Sequence, residues 1–356
     1  MTDISTGFNP KRILVIKLRH HGDILLTTPV INALHERYPI ANIDVLLYKE
    51  TRPLLEAHPA INRLFFVDRQ WKKEGIRRHL GHGLRLLRAI QRQEYDLIIN
   101  LADQWSSAIL TLLSKAPVRI GFNYQKRQHL LWRRAHTQRV ETERFPQLHT
   151  VEQNMLALKP LNIANKRARL SMHYHQSDWH YTRRILDERG ISRPYVVIQP
   201  TSRWIFKCWD DDKVARLLKE LSCGDCQLIL TAAPDSKELE MITNICRLTK
   251  DSRVFSLAGQ LSLTQLAALI DHAALFIGVD SAPMHIAAAL GTPCIALFGP
   301  SRLIQWRPWG ENNLIIWAGD FGELPSPDNI DTDTETRFLS QIPVEVVLNA
   351  ARSYLR

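Results

Sequence analysis

Leu275-Phe-Ile-Gly-Val279, Asp280-Ser-Ala-Pro-Met-His285-Ile-Ala-Ala-Ala-Leu290, Gly291-Thr-Pro293 and Cys294-Ile-Ala-Leu-Phe298 follow one another without a break, and their reading decides the fold. The two outer pieces are strand-sized and apolar throughout, the pattern of strands covered on both faces. Between them lies a short Ala-rich helical segment. Pro283 sits early in it, where no backbone N–H is needed, and Gly291 stops it. Strand, crossover helix and strand in this order make a parallel pair.

The alternation repeats outward along the chain. Strands are expected over 11–17, 43–48, 64–67, 97–101 and 118–122, with helices near 53–57, 76–91 and 106–113. From 124 to 148 periodicity fades into a basic, histidine-containing stretch that reads as an insertion or long loop, and a helix resumes near 151–158. A second series opens with a helix over 178–189, capped by Ser177 and Gly190, and a strand over 195–199. It continues with a strand over 227–231, a helix over 237–248, and a capping box, Ser262-Leu-Thr-Gln265, that starts another helix. A last helix begins near Ile342. The expected fold class is therefore α/β, with two Rossmann-like parallel-sheet domains over 1–175 and 176–335. The C-terminal helix, 336–356, could pack back on the first domain. A chain of 356 residues suits two domains of roughly 150 residues each.

Hydrophobic residues at 45% and charged residues at 23% exclude a disordered or fibrous chain, and the apolar runs are far shorter than the ~18 residues that span a bilayer. The first residues, Met1-Thr-Asp-Ile-Ser-Thr-Gly-Phe-Asn-Pro10, lack the apolar core of a signal peptide, so a cytosolic protein is expected. Five cysteines show no disulfide spacing, and the lone pair Cys223 and Cys226 fits loop and core packing better than a metal site. Charge is unevenly placed. Residues 1–175 hold 28 Lys/Arg against 14 Asp/Glu, and residues 176–356 hold 18 against 22. The first half is thus expected to meet an anionic partner: nucleic acid, an anionic membrane surface or a phosphorylated substrate.

In open parallel sheets ligands bind beyond the carboxyl ends of the strands. After the first strand comes Arg19-His-His-Gly-Asp23, whose Asp23 is either a functional carboxylate or a helix N-cap. After the strand at 195–199 come Pro200-Thr-Ser-Arg203 and Lys207, the hydroxyls and cations a pyrophosphate needs, or else a turn with a surface lysine. Asp210-Asp-Asp212 reads as charge at a helix start, and Asp331-Thr-Asp333 lacks the glycine of a calcium loop. After Val279, Asp280 could accept from sugar hydroxyls, and the free N–H groups of Ser281 and Ala282 make an anion site, with His285 one turn further on. The plainer alternative is an N-cap and a core histidine. Neither G-x-G-x-x-G after the first strand, nor a P-loop, H-E-x-x-H or G-x-S-x-G occurs, which counts against oxidoreductase, nucleotidase, metalloprotease and hydrolase readings.

At these residues the chain resembles the ADP-heptose:lipopolysaccharide heptosyltransferases, glycosyltransferase family nine, over nearly its whole length. The likeness rests on Gly22-Asp23 with Thr28-Pro29, Lys207-Cys-Trp209, Gly278-Val-Asp280-Ser281 with Pro283 and His285, and Gly291-Thr-Pro293 leading to Leu297-Phe-Gly-Pro300. The loop Arg19-His-His-Gly-Asp23 looks most like members that add the branch heptose of the inner core. The resemblance implies a GT-B fold, two domains facing across a cleft, and an inverting transfer from ADP-L-glycero-D-manno-heptose to a phosphorylated lipopolysaccharide inner core. It implies no metal or other cofactor, and a site at the cytosolic face of the inner membrane. By the same resemblance Asp23 is the general base and Lys207 stabilises the leaving diphosphate. Thr201, Ser202, Ser281, Ala282 and His285 would hold the phosphates, Asp280 the heptose and Glu238 the adenosine ribose.

Elementary chemistry agrees: a sugar hydroxyl needs a base to attack, and a departing diphosphate needs positive charge. On the basic helix, Ile76, Leu80, Leu84 and Leu87 are expected to form the inner stripe. Arg77, Arg78, Arg85 and Arg88, with Lys126 and Arg127, are then free to recruit the phosphorylated lipid acceptor at an anionic membrane. A nucleic-acid-binding protein would also explain the basic half, but no stacking aromatics are interleaved with its cations.

Overall fold

The computed structural model of the protein describes residues 7–163, 168–192, 194–222 and 226–355. Two compact units result, Met1–Ser171 and Met172–Arg356, each built on its own six-stranded parallel sheet.

The first unit runs β1 (Arg12–Ile16), α1 (His21–Leu25), α2 (Thr28–Arg37), β2 (Asn42–Tyr48), β3 (Arg63–Val67), α3 (Ile76–Gln91), β4 (Leu97–Asn100), α4 (Trp105–Leu113), β5 (Val118–Asn123), α5 (Leu130–Ala135), β6 (Gln138–Glu141) and α6 (Thr150–Leu156). Its strand order is β3-β2-β1-β4-β5-β6. Ile13, Leu14, Val15 and Ile16 of β1 are wholly buried, as a central parallel strand with helices on both faces requires. The second unit runs α7 (Gln176–Glu188), β7 (Tyr195–Gln199), α8 (Asp211–Leu221), β8 (Gln227–Leu230), α9 (Ser236–Thr249), β9 (Val254–Ser256), α10 (Leu263–Asp271), β10 (Leu275–Val279), α11 (Ala282–Leu290), β11 (Cys294–Phe298), α12 (Leu303–Trp306), β12 (Asn313–Trp317) and α13 (Val344–Tyr354). Its order, β12-β11-β10-β7-β8-β9, repeats that of the first unit. The strand order of each sheet therefore reverses once, between β1 and β4 and between β7 and β10, the points where doubly wound sheets take their ligands.

Several expectations need correction. The stretch 124–148 is no loop: it carries α5 and β6, the sheet's edge strand. At 53–57 there is no α-helix; a 3₁₀ turn, Lys49–Leu54, with Pro53 inside it, takes the place. The loop at Gly22-Asp23 is wound into α1. Ser177 lies inside α7, whose first turn is closed by the Asp178 carboxylate accepting from the His175 N–H at 3.0 Å, while Gly190 does adopt the left-handed conformation that ends the helix. The segment set apart as 336–356 is, through Leu355, an integral part of the second unit. Val344, Val347, Leu348 and Ala351 of α13 join that unit's core, and Glu345 pairs with Arg216 of α8 at 2.5 Å.

The basic helix is turned differently from expectation. Leu86 and Ile90 face the core, whereas Ile76, Leu80 and Leu84 are exposed. Cys223 lies outside the described residues, and Cys226 is buried in the core of the second unit. Among the described residues no helix is long and apolar enough to cross a membrane.

Candidate active site

In the second unit, β7 and β10 lie side by side and deliver two charged side chains to their carboxyl ends. The chain leaves β7 through Pro200–Trp204 into a 3₁₀ turn, Ile205–Lys207, and leaves β10 directly at Asp280. Lys207 Nζ donates to Asp280 Oδ2 at 2.6 Å, with both side chains largely buried. The ammonium also lies over the Trp204 ring, 5.0 Å from its centroid. Gly278 permits this approach of strands: a Cβ there would strike the Phe276 ring and crowd the Gln199 carbonyl.

Beyond Asp280, Ser281 caps α11 in extended conformation, yet its side chain makes no capping bond, and Pro283 occupies the first turn. Among the described residues the N-cap side chain thus offers no acceptor to the first N–H groups of α11, an arrangement suited to an anion. Ser281 Oγ is buried with no hydrogen-bond partner among the described residues, and His285 is buried one turn along. Asp280 is therefore not the N-cap, and its carboxylate is held by Lys207.

Thr201 and Glu238 prove to be direct partners. Thr201 Oγ1 donates to Glu238 Oε2 at 2.6 Å, and the Ala233 N–H reaches the same oxygen at 3.3 Å. Ser202 is fixed by Cys208, whose sulfur accepts from the Ser202 N–H at 3.2 Å. Burial pushes the Cys208 thiol up to about 11, so this sulfur packs and hydrogen-bonds as a neutral thiol.

The first unit presents different chemistry at the matching place. Asp23 lies in the first turn of α1, partly exposed, and among the described residues its carboxylate makes no hydrogen bond or ion pair. The α1 N-cap position belongs to His20, so the capping alternative for Asp23 falls away. Around it gathers a cluster that sequence reasoning missed. Lys17, at the end of β1, is buried and donates to Asn154 Oδ1 at 3.0 Å, while Asn154 Nδ2 donates to the Leu26 carbonyl at 2.9 Å. Burial lowers the Lys17 pKa, and the Asp23 charge opposes that shift.

Asp103, three residues past β4, bridges Arg19 at 3.1 Å and Lys126 at 2.5 Å, and its carbonyl accepts from Arg127 Nε at 2.9 Å. Burial alone would raise the Asp103 pKa, but the Lys126 bond and the Arg19 charge outweigh it and hold the carboxyl below its ordinary value. The available signals were a lysine terminating an apolar strand and an aspartate just beyond another. Lys126 and Arg127 are thus tied to Asp103, whereas Arg77, Arg78, Arg85 and Arg88 stand exposed on α3. His21 bonds the Glu50 carbonyl at 3.1 Å.

The model of glycosyltransferase family 9 (heptosyltransferase) matches residues 83–335. Lipopolysaccharide heptosyltransferase 3 of Escherichia coli is 42% identical over 338 residues, 95% of this chain and 97% of that protein. Lipopolysaccharide heptosyltransferase 2 of Escherichia coli K12 is 27% identical, over 82% of this chain and 83% of its own. Among solved structures, the glycosyl transferase family 9 protein of Veillonella parvula superposes with a TM-score of 0.83 at 22% identity, covering 98% of this chain and 97% of its own. Escherichia coli heptosyltransferase WaaC, solved with ADP, superposes with a TM-score of 0.76 at 21% identity, covering 96% and 99%. The architecture they share with this chain, two Rossmann-like domains, is the GT-B fold.

Proposed function

The chain belongs to glycosyltransferase family 9, the heptosyltransferases, and from that membership we propose a donor, an acceptor and a division of labour among its residues. The donor is ADP-L-glycero-D-manno-heptose, and the acceptor is a heptose of the phosphorylated lipopolysaccharide inner core, on which the branch (third) heptose is placed. Identity of 42% with a lipopolysaccharide heptosyltransferase 3, against 27% with a lipopolysaccharide heptosyltransferase 2, favours this member of the pathway over the first or second enzyme. WaaC has been solved with ADP and with ADP-2-deoxy-2-fluoro heptose, ligands of the class proposed.

In this reading Asp23 takes the proton of the acceptor hydroxyl as its oxygen bonds to the anomeric carbon. The bond from that carbon to the diphosphate oxygen breaks, its electron pair leaving with ADP, and the anomeric configuration inverts. Lys207 and the N–H groups of Ser281 and Ala282 receive the charge that develops on the diphosphate. Thr201, Ser202 and His285 line the phosphates, Asp280 orients the heptose while holding Lys207, and Glu238 takes the ribose. The observation that carries the donor side is the 2.6 Å contact of Lys207 with Asp280 beside the uncapped start of α11. On the acceptor side, Lys126 and Arg127 meet phosphoryl groups of the core. Arg77, Arg78, Arg85 and Arg88 draw the protein to the cytosolic face of the inner membrane.

Because Lys207 and the helix N-terminus supply the positive charge, we expect turnover without a divalent metal. The test is incubation with ADP-heptose and a panel of truncated cores, with and without chelator, followed by NMR of the product linkage. Heptose on a core heptose with inverted configuration, undiminished by chelation, is expected. Transfer restored only by magnesium or manganese contradicts the metal-free reading, and absence of transfer to any core contradicts the acceptor.

A further inference from the structure

Ile40 apart, the large apolar side chains that the first unit exposes among its described residues all lie on α3, α4 and α5. These helices make successive crossovers in one direction across the sheet, from β3 to β4, β5 and β6, so right-handed connections put all three on one face. Gln91 Nε2 at the end of α3 donates to the Leu113 carbonyl at the end of α4 at 2.7 Å, and Trp105 of α4 meets Trp132 of α5 edge-on, their centroids 5.7 Å apart. The surfaces are therefore contiguous.

On α3 the exposed residues Ile76, Leu80 and Leu84 stand at intervals of four and are 80%, 59% and 52% exposed. On α4, Trp105, Ile109 and Leu113 repeat the spacing. Each helix also has an inward face, Leu86 and Ile90 on α3 and Ala108 and Thr111 on α4, so the outer stripes are additional to what the core needs. Leu130 and Leu131 extend the surface on α5. Four arginines on α3 and two on α5 flank these stripes, and no Asp or Glu occurs in any of the three helices.

We propose that α3, α4 and α5 form a face that inserts shallowly into an anionic bilayer, apolar stripes at the headgroup–acyl boundary and arginines at the lipid phosphates. This deepens the membrane reading above, replacing a purely electrostatic contact with an inserted one. A second copy of the chain is the poorer occupant. A twofold contact would set six arginines against six arginines with no carboxylate in these helices to receive them, whereas anionic headgroups match both components.

The experiment is flotation of the full chain with phosphatidylcholine vesicles, with and without phosphatidylglycerol, from about 0.1 to about 0.5 M salt, where exposed charges become screened. The parent should bind anionic vesicles and keep part of that binding at high salt. The triple variant Leu80→Ser, Leu84→Ser, Ile109→Ser should lose about tenfold in partition at each salt concentration, with an unchanged unfolding temperature because all three side chains face water. The double variant Arg77→Gln, Arg78→Gln should lose only the salt-sensitive part. Equal binding by parent and triple variant overturns the proposal, as does parent binding that vanishes at high salt, or a triple variant altered in oligomeric state rather than in vesicle binding. The vesicles hold no acceptor, so the outcome is independent of the transfer reaction. On a deacylated core acceptor in solution the triple variant should match the parent, and a specific loss there would place the stripe in the acceptor site instead.

Discussion

The two units reach the same topological point with different charges. At each sheet's reversal an aspartate past the fourth strand receives a cation that follows the first: Asp103 takes Arg19 at 3.1 Å in the first unit, and Asp280 takes Lys207 at 2.6 Å in the second. Around Asp280 the remaining groups are those at the start of α11, whose N-cap Ser281 makes no side-chain capping bond. Around Asp103 they are further cations and a carboxylate, Asp23, with no bonded partner among the described residues. A doubled fold thus carries a lysine–aspartate pair beside a helix start at one reversal, and at the other an aspartate with no bonded partner among the described residues, the asymmetry on which the proposed division of labour rests. The difference lies in loop residues, since the sheets beneath are wound identically.

Substitution at each point should give different losses. Asp23→Asn should lower kcat by roughly 10²–10⁴ while the donor binds as before, the usual worth of a positioned base. Near-normal turnover in the folded variant would remove the asymmetry between the units. Lys207→Ala should lower kcat by roughly 10²–10³, as loss of one charge-stabilising group does elsewhere, and should weaken ADP as well. A Lys207→Ala enzyme with parental kcat and affinity would make the Asp280 pair a structural feature only.

A smaller effect distinguishes the scaffolds. In the first unit His136 is buried: its Nδ1 bonds the Trp132 carbonyl at 3.0 Å, and its Nε2 bonds Asn100 Nδ2 at 3.3 Å. Gly121 makes room for the ring, since a Cβ there would overlap it. Burial pushes the His136 pKa down to about 4, so between pH 6.5 and that value the unfolded chain takes up a proton the folded unit refuses. Stability contributed by the neutral ring is complete above pH 6.5 and is lost as pH falls, by about 2–3 kcal/mol at pH 4.5. Hydrogen exchange corrected for intrinsic rates should show β4 and β5 losing protection over this range more than β7 and β10. Equal loss in both sheets would contradict the assignment to His136.

The legible parts of the fold were its central strands. β7, β10 and β11 are continuous apolar runs because helices cover them on both faces, and their limits could be read from composition alone. The strands that escaped notice, β6, β9 and β12, all lie at sheet edges, where short or half-polar sequences such as Gln138-Arg-Val-Glu141 suffice. The α3 helix was legible in extent but not in orientation. It carries two apolar stripes, and periodicity cannot say which one the sheet buries. At the candidate site, Asp23, Lys207 and Asp280 stood out by position after strands. The pairing of Lys207 with Asp280, and the cluster of Lys17, Arg19 and Asp103, depend on contacts between segments distant in the chain, which local pattern does not encode.

The assignment of base to one unit and leaving-group charge to the other is tested most directly by titrating ADP calorimetrically into the parent, Asp23→Asn and Lys207→Ala, each first checked for an unchanged fold. The account requires Asp23→Asn to bind ADP as the parent does and Lys207→Ala to bind at least about tenfold more weakly, about 1.4 kcal/mol. Equal weakening in both variants, or parental affinity in Lys207→Ala, would contradict it.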